Sequence, residues 1–233
     1  LVLLFDTARL ARRDSDDADR AAVRIARRMI DLLQTRDRAG YVFRVDLRLR
    51  PSPEATPIAV PLGGAIAYYQ SEALAWERAA FIRARACAGD IAAGEAFLAA
   101  IRPFVWRKSL DFGAIAEIGR LTAQIRTHHG AVPRPGPGFD IKRGRGGIRE
   151  IEFYAQTLQL IHGGRNPALR QRGTRASLDA LAAAGLIAAD EAALLGTSYD
   201  RLRTVEHRLQ MVADQQTHSL PVDPAALDAV ARL

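Results

Sequence analysis

Tyr41-Val42-Phe43-Arg44-Val45-Asp46-Leu47-Arg48-Leu49-Arg50-Pro51 alternates strictly between two faces. One face carries Tyr41, Phe43, Val45, Leu47 and Leu49; the other carries Val42, Arg44, Asp46, Arg48 and Arg50. A period of two predicts a strand with one buried face and a row of charges opposite. Several arginines around one carboxylate are a costly decoration for a solvated surface. They are a sensible way to hold a phosphate beside a metal-binding acid.

Upstream, Leu1–Asp6 reads as a continuous, doubly buried strand. The abrupt start without a methionine suggests a fragment, and the end falls inside an alanine-rich helical run. A polar stretch with Asp14, Asp16, Asp17 and Asp19 leads into a helix over Ala18–Leu33. Gly40 separates that helix from the alternating stretch. Prolines 51, 53, 57 and 61 then predict a loop, or a short edge strand around Thr56–Val60.

Helical spacing continues over about Ala65–Ala84, Ile91–Ile101 and Gly113–His128. Gly130–Gly138, rich in proline and glycine, is the best internal joint. Helices are predicted after it over Ile148–His162, Thr174–Ala184 and Ala189–Val212. The organisation is α+β: residues 1–129 with strands and helices, a hinge at 130–138, and an all-helical bundle over 139–233.

The chain has 233 residues, 48% of them hydrophobic, so it can bury a sizeable core. Its formal charge of +7 comes almost wholly from arginine and favours anionic partners. The single cysteine, Cys87, excludes an internal disulfide and fits a reducing, cytoplasmic setting. No stretch has the length of a membrane span, and no signal peptide is visible. No aromatic–basic RNA motif stands out, which disfavours a nucleic-acid partner.

Asp46 is the first candidate for chemistry. Magnesium takes hard oxygen ligands, and a moving phosphate needs positive charge around it. One aspartate cannot make such a site, and Leu1–Asp6 does not contain the missing pair of acids. The plainer alternative is an ion pair of Asp46 with Arg44 or Arg48 on a basic, solvated face. Arg44, Arg48 and Arg50 have the forked donors that clamp phosphates.

Lys142-Arg143-Gly144-Arg145-Gly146-Gly147 is the second candidate. A helix follows it, and orphan amides at a helix start attract anions. Lys142, Arg145 and Arg149 are its candidate nucleotide or phosphate contacts. The segment lacks the Walker ending, and a tight helix-start turn explains it equally well. Glu150 and Glu152 point in different directions and are no obvious metal pair. His207 is either a base or a packed helical histidine. His128, His129 and His162 lack metal-site spacing. Trp76-Glu77-Arg78 either packs the core or faces a nucleotide. Cys87 has no basic partner nearby in sequence.

Taken in order, these segments resemble the glutamine synthetase adenylyltransferase/adenylyl-removing family. The resemblance rests on Phe43–Pro51, on Tyr68-Tyr69 with Trp76-Glu77-Arg78, and on Arg102–Lys108 with Asp111-Phe112. It continues through Asp140-Ile141-Lys142, Gly146–Phe153, Gln159–Arg165 and Leu202–Gln210, and closes on Asp214, Gln215, Thr217 and His218. It implies a partial nucleotidyltransferase-type mixed sheet with helices, followed by a helical bundle. That family has one half that removes AMP from a tyrosine of glutamine synthetase by phosphorolysis, giving ADP, and another that adds AMP from ATP. Gly-Gly-Ile-Arg-Glu-Ile-Glu-Phe followed by Gly-Gly-Arg resembles the N-terminal, adenylyl-removing half.

The resemblance carries Asp46 onto the third aspartate of a magnesium site, with an Asp-x-Asp pair expected ahead of Leu1. It implies catalytic roles for Asp46, Arg44 and Arg48, and contacts to phosphate or nucleotide from Arg50, Lys142, Arg145 and Arg149. Magnesium, phosphate and ADP or ATP are the implied small molecules. Glutamine synthetase and a PII-type nitrogen-signalling protein are the implied partners. Arg143 stands where the family usually has an apolar residue. Adenylylation from ATP is the reverse reading, and a non-catalytic docking fragment is the other.

Overall fold

A computed structural model describes residues 1–13, 15–108, 116, 134–213 and 216–232. Leu1–Ala80 with Arg85–Phe104 form one unit; Phe81–Ala84 with Val105–Leu233 form the other. The architecture is α+β, with a small parallel sheet and helices followed by an all-helical bundle, as the sequence predicts.

In the first unit, strand β1 (Leu3–Phe5) pairs in parallel with β2 (Ala59–Pro61), placing Leu4 opposite Val60. Helix α1 (Ala18–Gln34) is capped by the Asp17 carboxylate, which accepts the Arg20 amide at 2.9 Å. Its buried stripe is mostly alanine, so Ala22 and Ala26 come close to Ala59, with Leu3, Phe5 and Ile58 around them.

Strand β1 is shorter than the predicted Leu1–Asp6 and half-buried rather than doubly buried, because its sheet has two strands. Two further predicted elements differ. The helix expected over Ala65–Ala84 is two helices, α2 (Leu62–Ser71) and α3 (Ala75–Phe81). The amides of Glu72 and Ala73 both turn back to the Tyr68 carbonyl, and the buried Glu77 carboxylate accepts the Leu74 amide at 2.8 Å. A side-chain cap thus starts a new helix inside an apolar periodicity that reads as continuous. The Glu77 carboxylate also accepts the Tyr68 hydroxyl at 3.0 Å. Helix α4 (Ile91–Ala100), capped by Asp90, and the short α5 (Arg102–Val105) complete this side of the core. Buried Tyr69 packs against Phe97 and Phe104, with ring centroids 6.1 and 5.7 Å apart.

The second difference is the alternating stretch itself, which is not a strand: residues 41–47 are irregular and turns begin at Arg48. The Phe43 amide donates to the Leu33 carbonyl at the end of α1, the Val45 amide to the Gln34 side chain, and the Asp46 carbonyl accepts the Leu1 amine. Two of these bonds go to the end of helix α1, one of them to a side chain, and one to the first residue, so no strand ladder forms. Val45 and Leu47 are half-buried between exposed Arg44, Asp46 and Arg48, but Val42, Phe43 and Leu49 are exposed.

In the second unit, α6 (Ile148–His162), α7 (Thr174–Ala183), α8 (Ala189–Ala213) and α9 (Pro224–Arg232) form the bundle. Ile151, Ala155, Leu169, Leu178, Leu181 and Ala192 make one core cluster, and Phe139, Ile141, Leu209 and Val230 another. Gln159, fully buried, donates to the carbonyls of Leu169 and Gln171 at 2.6 and 2.8 Å and so holds the turn after α6. A short backbone ladder joins 138–141 to 218–220 around the Asp140–Ser219 bridge. The helix expected over Gly113–His128 lies outside the described residues, apart from helical Ala116. The expected joint falls within the span of the second unit, and residues 130–133 are outside the description. Among the described residues, no helix is long and apolar enough to cross a membrane.

Candidate functional site

Asp46 sits in an exposed turn of the first unit, and Arg48 wraps around its carboxylate. The Arg48 Nε donates to Oδ1 and Oδ2 at 3.0 Å each, and Nη2 to Oδ2 at 2.6 Å. The Arg48 backbone amide adds a bond to Oδ1 at 2.9 Å, closing a turn of the kind aspartate favours. These bonds hold the Asp46 carboxyl down at about 2, so it is ionised at any physiological pH. Arg44 is exposed two residues upstream. Of the predicted arginines, it is Arg48 that bonds Asp46.

Arg50 takes a different course. Its guanidinium donates to the carbonyls of Thr56, Leu47 and Pro53 at 3.3, 3.1 and 2.5 Å. It folds the proline loop rather than facing outward, helped by the Thr56 hydroxyl, which donates to the Ser52 carbonyl. Ser52 itself stands at φ 40°, a conformation that this set of bonds sustains. The loop in turn carries the chain from the Asp46 turn back into β2.

Magnesium needs several hard oxygens. Among the described residues no group of three His, Cys, Asp or Glu side chains gathers into a metal site. Asp46 is chemically apt as one ligand, but its oxygens are already taken by Arg48. The described residues alone do not fit a magnesium ion.

In the second unit, the glycine turn before α6 is filled by its own backbone. The first helical amides, those of Ile148 and Arg149, donate to the Ile141 and Lys142 carbonyls at 3.0 and 2.9 Å. The Gly146 amide donates to the Glu150 carboxylate at 3.0 Å. A Cβ on Gly147 would stand 2.7 Å from the Ile141 carbonyl oxygen, and one on Gly144 would stand 2.5 Å from that of Asp140. The glycines here allow the chain to pack on itself, so these amides are not an open anion cradle. Arg145 is exposed, and Arg149 lies over the Phe153 ring at 5.9 Å.

Lys142 is drawn inward to a buried charge cluster that the sequence reading missed. Its Nζ stands 3.2 Å from Oε1 of Glu206, a side chain only 2% exposed. His218 Nδ1 lies 3.2 Å from the same oxygen, and Arg203 Nη1 lies 2.5 Å from Oε2. Neither contact to Oε1 is aligned as a hydrogen bond, so the attraction there is mainly that of the Lys142 charge for the carboxylate. Burial, and then Lys142, lower the His218 pKa below its usual 6.5. Glu206 was visible only as a neighbour of His207, which instead sits exposed beside Arg203 at 3.2 Å.

Two other quoted segments explain each other. A Cβ on Gly163 would meet the Trp106 ring at 2.7 Å, and one on Gly164 would overlap the Arg107 carbonyl. Arg165 donates to the Lys108 carbonyl at 2.8 Å, and Arg170 lies over the Trp106 ring at 5.6 Å. Trp106-Arg107-Lys108 therefore docks on the Gly163-Gly164-Arg165 turn. Arg83 similarly pairs with Glu152 at 3.0 Å, and Tyr199 bonds the same carboxylate at 3.3 Å.

Residues 1–100 match a family described as Glutamate-ammonia ligase adenylyltransferase, and residues 119–233 match one described as GlnD PII-uridylyltransferase. A Bifunctional glutamine synthetase adenylyltransferase/adenylyl-removing enzyme of Bradyrhizobium diazoefficiens is 54% identical over 210 residues, covering 90% of this chain and 21% of that protein. Its namesake in Mesorhizobium japonicum is 49% identical over 233 residues, all of this chain and 24% of that protein. The one in Caulobacter vibrioides is 52% identical over 212 residues, 91% of this chain and 22% of that protein. The chain spans about a fifth to a quarter of the length of these relatives.

Proposed function

We propose that this chain, a segment of the glutamine synthetase adenylyltransferase/adenylyl-removing family, is part of the adenylyl-removing half of a longer enzyme. In this reading the whole protein acts on glutamine synthetase carrying AMP on a tyrosine. An oxygen of inorganic phosphate attacks the AMP phosphorus, the bond from phosphorus to the tyrosine oxygen breaks, and that oxygen takes up a proton. The products are ADP and unmodified glutamine synthetase. In-line transfer of this kind needs no protein nucleophile.

The observation that carries the reading is Asp46: an ionised carboxylate beside exposed Arg44 and Arg48, in the part of the chain that matches the adenylyltransferase family. Arg44 and Arg48 would stabilise the charge on the phosphates. In the whole protein Asp46 would offer one oxygen ligand to magnesium, with the further ligands supplied from outside the described residues. In the second unit Arg145 and Arg149 would contribute contacts to an anion, since Lys142 is engaged with Glu206; Arg50 of the first unit is engaged with its own loop. The match of residues 119–233 to a PII-uridylyltransferase family supports a PII-type signalling protein among the partners.

The test uses the full-length protein with adenylylated glutamine synthetase, phosphate and magnesium, following ADP release. Asp46→Asn should abolish phosphate-dependent release, by about a hundredfold or more. Release at the wild-type rate would remove Asp46 from the reaction. ATP-driven AMP addition that depends on Asp46, with no removal, would point to the reverse chemistry.

A further inference from the structure

We propose that Lys142 and His218 are alternative cations on one oxygen of buried Glu206, so that protonation of His218 moves the carboxylate from the lysine to the imidazole and releases Lys142 to solvent. The exchange lies within the second unit and is independent of the phosphorolysis reading. The contact that it completes is unfinished. Glu206 is 2% exposed, yet its Oε1 has two nitrogens 3.2 Å away and an aligned hydrogen bond from neither. The facing Nδ1 of His218 is unsatisfied as well.

A neutral imidazole carries one N–H and one bare nitrogen, whereas the protonated ring donates from both. Proton uptake therefore guarantees a donor at Nδ1, and its bond to Oε1 is charge-assisted once the ring turns to align it. It also brings a second positive charge to the oxygen that Lys142 holds, in a site with little water to screen the two. Lys142 is the cation that can leave. Its side chain is 23% exposed against 10% for His218, and its flexible stem reaches water. Both backbones are pinned. The Lys142 amide donates to Asp140 Oδ1 at 2.9 Å, and its carbonyl accepts the Arg149 amide at 2.9 Å. The His218 carbonyl accepts the Ile141 amide at 2.9 Å. The exchange thus moves a side chain and leaves the ladder in place, while Arg203 stays on Oε2 at 2.5 Å.

The remaining charges on the elements around His218 are engaged elsewhere or act weakly on it. Before α6, Asp140 attracts the protonated ring and Arg143 repels it, and the Asp140 carboxylate is itself held by the Lys142 and Arg143 amides. On α8, His207 sits exposed against Arg203, and Arg208 reaches the Ala231 carbonyl. On α9, Asp228 and Arg232 pair with each other at the surface, and Asp223 caps the helix through the Ala226 amide. Lys142 is therefore the principal cation that a proton on His218 must displace. Burial first, and Lys142 next, hold the His218 pKa below its usual 6.5, so the exchange falls on the acid side of that value.

The test labels the full-length protein with an amine-acylating ester between about pH 7.5 and about pH 5.5, and mass spectrometry reads Lys142 against the chain's other lysine, Lys108. The ratio of Lys142 to Lys108 labelling should rise about threefold or more on acidification in the wild type and stay flat in His218→Asn. Amide protection at Ile141 and Leu220 should hold within about fivefold over the same range, because His218 replaces Lys142 on Glu206. Deuterium uptake at the imidazole Cε1–H reads the His218 proton affinity separately, and Lys142→Met should raise that affinity about tenfold. A flat labelling ratio in the wild type while His218 titrates overturns the exchange, as does an equal rise in His218→Asn. A rise accompanied by lost protection at both amides shows the ladder opening instead, and also overturns it. Unchanged or lower His218 proton affinity in Lys142→Met overturns the competition even if His218→Asn does not fold.

Discussion

Replacing Glu206 with glutamine removes the negative charge on which Lys142, Arg203 and His218 converge. Glutamine keeps the shape, so the loss is electrostatic rather than a cavity. Breaking a buried ion pair from one side costs about 3–5 kcal/mol. Here the cost should sit near the bottom, about 3 kcal/mol, for two reasons. Lys142 and Arg203 are 23% and 37% exposed and can turn partly toward water, and the two contacts to Oε1 are not aligned hydrogen bonds. The cluster ties the 138–141 and 218–220 ladder to α8, so the loss should appear as local opening there. Amide exchange at Ile141 and Leu220, whose N–H groups donate to His218 and Phe139 carbonyls, reads that opening directly. At about 1.4 kcal/mol per tenfold, protection at both amides should fall about a hundredfold. Lys142→Met alone should cost less, and the double variant should cost less than the sum. A fall under about fivefold at both amides, or full additivity, would refute the claim that Glu206 latches this ladder.

Two further outcomes follow from the same geometry. Because the His218 pKa is lowered in the folded state, the unfolded chain binds more protons near and below pH 6.5, so stability is kept above that pH and lost as pH falls. Thermal unfolding between about pH 8 and about pH 5.5 should show this loss in the wild type, and His218→Asn should blunt it. Gly164→Ala places a methyl group into the Arg107 carbonyl; it should destabilise the second unit by about 1–3 kcal/mol or more, read as a fall in Tm.

How much of this was legible in the sequence depended on the range of the interaction. Helix α6 begins at Ile148 and ends at His162 as its apolar stripe predicts, because Ile151 and Ala155 repeat at helical spacing and glycines bound both ends. Helix α1 was legible for the same reason, with an aspartate cap and an alanine stripe. The break between α2 and α3 was not, because Glu77 looks like one more helical residue until its carboxylate is seen on the Leu74 amide. Asp46 and Arg48 lie two apart, so the pair that closes the candidate site was among the sequence readings. The sequence could not distinguish that pair from an open metal ligand, and the side-chain placement favours the closed arrangement.

The sequence by itself determined the helical second half, the α+β class and the set of charged residues around Asp46, because periodicity, caps and near neighbours are local properties. Only the tertiary structure decided that Lys142 turns inward to Glu206 and that Gly164 receives the Arg107 carbonyl. Those contacts join residues 64 and 57 positions apart. A buried carboxylate takes whichever cations the fold brings to it, and a glycine is needed wherever two distant backbones meet. Neither condition leaves a periodic mark on the chain.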